Sequence, residues 1–147
     1  MGKYNAKIDD AGSCKKKMIG YFDGASRGNP GEAGAGALLM DEGGNTVWET
    51  ARYLGKKTNN EAEYNAAILL LKAARERGAK ELKVFGDSKL VVCQLAKQWK
   101  INLPHLRALA QEAWAVSDGI KVSYEWVPRA KNKRADELSN EAIDNAK

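Results

Sequence analysis

The stretch 18-MIGYFDGASRGNPGEAGAGALLMDEGGNTVWETARYL-54 decides the fold. It holds three runs suited to strands, 18–23, 33–40 and 46–54, and 41-DEGG-44 is a turn between the last two. Beyond it the pattern changes. Residues 59–77 are rich in Ala and Leu and stop at Gly78, as a helix closed by a C-terminal glycine would. A fourth strand is expected over 81–86 and a second helix over 88–98. A third helix starts at Pro104 and reaches about 117, and a fifth strand over 121–127 is stopped by Pro128. A last helix runs from about 133 to the C-terminus. Three strands with short connections, followed by strands alternating with helices, predict an α/β fold: a five-stranded mixed sheet flanked by helices.

At 147 residues, 44% hydrophobic and 29% charged, the chain is long enough to bury one core. Residues 1–16 read as a polar, disordered tail, and 17–147 as the single folded domain. The net charge of +5 favours a polyanionic partner, and the run Lys15, Lys16, Lys17 is either solvated or touches nucleic acid. No apolar stretch has signal-peptide or membrane-spanning length, so no membrane association is expected. Cys14 and Cys93 form no ligand or disulfide pattern and read as free thiols in a cytoplasmic protein. His105 is the only histidine, which argues against a Ser-His-Asp or Cys-His mechanism.

Four acidic residues stand in separate motif-like settings: Asp23 in YFDGASRGNPG, Glu63 in TNNEAEY, Asp87 in VFGDSKLVV and Asp136 in NKRADELSNEA. Asp23 and Asp87 each follow a short apolar strand, where ligand sites of open α/β sheets often lie. On the first helix, Glu63 shares a stripe with Ala67, Leu70 and Ala74, which should face the sheet. Glu61 shares a more polar one with Asn65, Ile68 and Lys72. Glu63 is therefore the inward candidate and Glu61 a surface residue. Asp136 falls near the start of the last helix, where the helix dipole favours an anion. If folding brings these carboxylates together, their repulsion calls for a divalent cation, and an all-oxygen set points to magnesium or manganese.

DGASRGNPG, TNNEAEYNAA, DSKLVVCQL and VPRAKNKRADELSNEA resemble, in order and spacing, the motifs of type 1 ribonucleases H. The match runs from Met18 to the end of the chain. The resemblance implies a ribonuclease H-like fold and an endoribonuclease that hydrolyses the RNA strand of RNA–DNA hybrids. It implies two Mg2+ ions, or Mn2+, held by Asp23, Glu63, Asp87 and Asp136. In that family pattern Asp23 bridges both ions, Glu63 and Asp87 support the side of the attacking water, and Asp136 holds the other ion. It further implies that Asn29, Asn59 and Asn60 read RNA hydroxyls and bases in the minor groove, and that Thr58 grips a DNA-strand phosphate. Asn29 also reads as a turn residue before Pro30, and Asn59 as a helix N-cap. Trp99 lines the DNA channel or packs in the core.

The chain departs from longer members of that family. The segment 98–103 is too short for a basic protrusion, and VPRAKN is shorter than the loop that carries a histidine in many members, so Arg129 or Lys131 either takes over part of that role or is simply solvated. The tail is too short for a separate hybrid-binding domain. The chain looks like the compact subgroup lacking both the protrusion and the histidine loop, and is expected to be a free-standing monomer. Two other readings stay open: a hybrid- or RNA-binding module that lost catalysis, and an enzyme acting also on double-stranded RNA.

Overall fold

The computed structural model describes residues 16–146; apart from Lys16, the expected tail, with Cys14, lies outside them. In chain order the elements are β1 (Lys17–Gly28), β2 (Gly31–Met40), β3 (Thr46–Lys57), α1 (Asn59–Glu76), β4 (Glu81–Gly86), α2 (Lys89–Leu95), α3 (Pro104–Val116) and β5 (Lys121–Trp126). A 3-10 turn (Arg129–Lys131) and α4 (Lys133–Asp144) follow. The five strands form one sheet in the order β3-β2-β1-β4-β5. β1, β2 and β3 pair antiparallel, while β1–β4 and β4–β5 are parallel. This is the expected mixed sheet. No helix among the described residues is long and apolar enough to cross a membrane.

The boundaries differ from expectation in instructive ways. The segment after Asp23 is strand, not loop: β1 continues to Gly28 and pairs with β2 as far as Gly28↔Gly31. Its turn chemistry is confined to the tip, where Gly28 takes φ +118°, a conformation open to glycine. α2 ends at Leu95, before the expected 98, because the chain reverses at Lys97 with φ +63°. At the start of α1 the N-cap is Thr58, not Asn59. Its side chain accepts from the Glu61 N–H while the Glu61 carboxylate accepts from the Thr58 N–H, a reciprocal capping box. Glu61 is thus a cap, and Ile68 on its stripe is buried against the core.

Side-chain alternation splits the layers. Met18, Gly20 and Phe22 of β1 face α1, whose Ala67, Leu70 and Ala74 are fully buried there. α3 packs against α1, and Tyr64 Oη donates to Gln94 Oε1 at 2.6 Å, tying α1 to α2. α4 lies on the other face, over β2, β1 and β3. It comes very close. A Cβ on Gly36 would stand 2.3 Å from the Ala135 carbonyl oxygen and 2.5 Å from Ser139 N, and one on Gly34 2.3 Å from the Ser139 carbonyl oxygen. The alternate residues Ala33, Ala35 and Ala37 are fully buried. The GEAGAGALL run therefore builds a thin strand on which helices dock from both sides.

Gly36→Ala should destabilise the fold by roughly 1–3 kcal/mol, because the new methyl meets helix backbone, which cannot rotate away. Urea unfolding checks this; an unchanged midpoint would show that α4 shifts freely on β2.

Candidate active site

The parallel register sets the first two carboxylates side by side. Tyr21 pairs with Phe85 and Phe22 with Gly86, so the next step places Asp23 next to Asp87. Tyr21 and Phe85 stack on the same face at 5.1 Å between ring centroids, two residues before the two aspartates. β4 stops at Gly86, so beyond Phe22 that edge of β1 loses its ladder partner. Other groups use it. The Gly24 N–H donates to Asp23 Oδ1 at 3.0 Å and to Glu63 Oε1 at 2.5 Å.

Glu63 reaches this point because Gly24 has no side chain. A Cβ there would lie 2.3 Å from Glu63 N and from the Ala62 carbonyl carbon, so α1 rests directly on the strand. The helical phase expected from sequence is the one observed: Glu63 is 3% exposed, while Glu61 is half-buried in its cap. Carboxylate oxygens of Asp23, Glu63 and Asp87 all lie within 4.8 Å of one another. The fourth acid, Asp136, sits in the first turn of α4 above Gly36, the register partner of Asp23. Its side chain is 29% exposed, and the exposed Arg129 guanidinium lies 3.6 Å from Asp136 Oδ1. All four acids line one open cleft of about 310 Å3.

The electrostatics record the crowding. Burial, then the charge of Asp87, pushes Asp23 up to about 7. Burial, then the charge of Asp23, holds Glu63 well above the usual carboxylate range. Burial also raises Asp87, against the Asn132 side chain and the Arg129 charge, which favour its ionised form. Hard oxygen donors, buried and mutually repelling, suit magnesium or manganese, and among the described residues the cluster includes neither His nor Cys. The residues fit a divalent cation.

The other expected residues divide. Asn29, at the exposed hairpin tip, accepts from the Asn59 N–H at 3.1 Å, joining the tip to the start of α1. Asn59 lines the cleft, and Asn60 and Thr58 flank it on the same helix start. Arg129 also lines the cleft, while Lys131 is exposed on the same 3-10 turn. Trp99 is 45% exposed in the segment between α2 and α3, on the surface and not in the core. His105 is exposed in the first turn of α3.

Three residues escaped the sequence reading. Asn132 is 1% exposed at the start of α4 and, instead of capping that helix, donates from Nδ2 to the Phe22 carbonyl at 2.9 Å. Asn140 and Arg27 both line the cleft. The spacing Asn132, Asp136, Asn140 was a visible signal: four-residue steps put all three on one helix face.

A family model described as reverse transcriptase-like matches residues 21–142. The chain is 46% identical over 133 residues to a ribonuclease HI of Halobacterium salinarum, covering 88% of this chain and 66% of that one. It is 45% identical to a bifunctional protein of Mycobacterium tuberculosis, of whose length it spans 36%. It is 33% identical to a ribonuclease H of Francisella tularensis subsp. novicida, covering 88% and 92% of the two chains. The structure of LC11-RNase H1 in complex with an RNA/DNA hybrid superposes with a TM-score of 0.83 at 40% identity, over 88% of this chain and 98% of that one.

With Asp23 raised from 3.8 to about 7, the metal-free folded state keeps a proton that the unfolded chain gives up. Its contribution therefore lowers stability as pH rises across that interval, and the loss is complete above it. Asp23→Asn removes this penalty. In chelator, the variant should exceed the native chain in Tm at about pH 8 and lose most of that advantage near about pH 4. A thermal melt series checks this; an advantage independent of pH would contradict it.

Proposed function

The chain belongs to the ribonuclease H family, and from that premise we propose that it hydrolyses the RNA strand of RNA–DNA hybrids with divalent metal ions, two Mg2+ or Mn2+ per site. The observation that carries the proposal is the pair of buried carboxylates, Asp23 and Glu63, that share one backbone N–H beside Asp87. Without a cation such repulsion is relieved only by holding protons, so at neutral pH the cluster favours a divalent ion. Asp23, Glu63, Asp87 and Asp136 would hold the ions. Bound there, the ions supply Lewis acidity and positive charge at the reacting phosphodiester.

The chain's own part is to fix those oxygens and to select the duplex. Asp23 is set by the sheet, Glu63 by the contact of α1 with Gly24, and Asp87 by β5. At the last residue of that strand Trp126 Nε1 donates to Asp87 O at 3.1 Å, and just beyond it the Val127 N–H donates to Gly86 O at 3.0 Å. Selection falls to Asn29, Asn59 and Asn60. An amide donates and accepts at once, which matches a 2′-hydroxyl, the group that distinguishes RNA from DNA. Asn29 spends its carbonyl oxygen on the Asn59 N–H, so its NH2 is the group left for the minor groove. The Thr58 hydroxyl accepts from the Glu61 N–H and keeps its own proton to donate to a phosphate at the positive end of α1. Arg129, Lys131 and the exposed Trp99 would add backbone and sugar contacts, with affinity falling as salt rises. A cytoplasmic monomer completes the proposal.

Labelled hybrid, double-stranded RNA and double-stranded DNA, each with Mg2+, Mn2+ or chelator, test this directly. Cleavage is expected in the RNA strand of the hybrid, with metal only; comparable cleavage in chelator would falsify the proposal. Two neighbouring variants sharpen it. Glu63→Gln should lose orders of magnitude in kcat, while Glu61→Gln should keep the rate and lose at most about 1 kcal/mol of stability at the cap.

A further inference from the structure

We infer that Asn140, itself oriented by Arg27, is a positioning residue that sets the direction of the Asp136 carboxylate toward the cation cluster. This rests on the proposed role of Asp136 as a ligand. Asp136 needs such a device. Asp23 and Glu63 are buried and share the Gly24 N–H, but Asp136 stands at the rim, partly exposed, outside the three acids whose oxygens converge. An aspartate in the first turn of a helix is otherwise free to turn to solvent.

The contacts supply what is missing. Asn140 lies one helical turn beyond Asp136, and its Nδ2 donates to the Asp136 carbonyl at 3.0 Å and to Asp136 Oδ1 at 3.2 Å. Asn140 Oδ1 accepts from Arg27 Nη2 at 3.3 Å. Arg27 is in turn held by Asp144, one more turn along α4, through Nη1 to Oδ1 at 2.6 Å. Arg27 belongs to β1, the strand that carries Asp23. The network thus joins the strand of one acid to the side chain of another.

The guanidinium decides which way the amide faces. It has donors only, so the Asn140 carbonyl must point at Arg27 and its NH2 at Asp136. Turned the other way, the amide would set its oxygen against a carboxylate. Among the described residues the ion-pair partner of Asp136 is Arg129 at 3.6 Å, which also falls on Oδ1 and comes from a side chain that is 79% exposed, while the neighbouring acid Asp23 faces the same carboxylate. Oδ2 is spent on neither Asn140 nor Arg129, and is the oxygen left for a cation. Partners of this kind, one step behind a ligand, orient it and raise its affinity.

Calorimetric titration of Mn2+ into the intact chain without nucleic acid tests this apart from activity. Asn140→Ala should weaken Mn2+ binding by roughly tenfold. Its metal-free Tm should hold or rise, since Ala suits the helix better than Asn. Arg27→Met should shift affinity in the same direction by a smaller factor. On an Asp136→Asn background, Asn140→Ala should change affinity by less than about twofold, because the group it acts through has lost its charge. Native affinity in Asn140→Ala, or an equal loss on both backgrounds, overturns the inference while leaving Asp136 a ligand. Native affinity in Asp136→Asn itself removes the reading on which the inference rests.

Discussion

Two helices touch the sheet backbone to backbone, and the geometry of the cleft follows from that contact. α1 meets β1 at Gly24, and α4 meets β2 at Gly34 and Gly36, each nearer than any side chain would allow. These are neighbouring positions of paired strands, since Asp23 is the register partner of Gly36. The sheet is thinnest where the acids gather. A helix held off by ordinary side chains would stand about 10 Å from the sheet, and carboxylates on short side chains could not meet across that gap. Their close approach comes from glycines, not from any attraction between them.

The electrostatic consequence runs against stability. Burial, with repulsion between neighbouring acids, raises Asp23, Glu63 and Asp87, so without a cation the cluster would hold unfavourable energy at the floor of the cleft. The surrounding structure tolerates it through rigid supports: the Asn132 amide on the Phe22 carbonyl, the Trp126 indole on the Asp87 carbonyl, and the forked Arg134–Glu49 pair, with both bonds at 2.9 Å, that pins α4 to the edge strand β3. The last is partly exposed and contributes modestly to stability, but its two-point geometry fixes helix rotation.

Much of this was legible in the residues. The strands and helices announced themselves by periodicity and by glycine and proline stops, and the phase of α1 separated Glu63 from Glu61. The length of β1 did not, because DGASRGNPG is dense in turn formers and only its pairing with β2 makes it strand. The N-cap was placed one residue late, since Thr58 and Asn59 are both good caps and the choice depends on Glu61 reaching back. Asn132, Asn140 and Arg27 are hidden for a different reason. A polar residue at or in a charged helix, such as Asn132 or Asn140, reads as solvated until β1 lies beneath it, and Arg27, on β1 itself, gains its partners only once α4 is docked. Gly34 and Gly36 are similar: as letters they weaken a strand, and their purpose appears with α4 in place.

The capping box on α1 carries one more consequence. Thr58 and Glu61 complete each other through two local hydrogen bonds, which form between residues three apart and need no tertiary partner. The parallel pairing that brings Asp87 beside Asp23, and the docking of α4 that brings Asp136, join segments far apart in the chain. Loop closure of that length is slow and comes at an entropic cost. The start of α1 therefore owes its cap to its own residues alone, while the meeting of the four acids depends on contacts between distant segments; a change that loosens the sheet or α4 would scatter the acids and leave the cap in place.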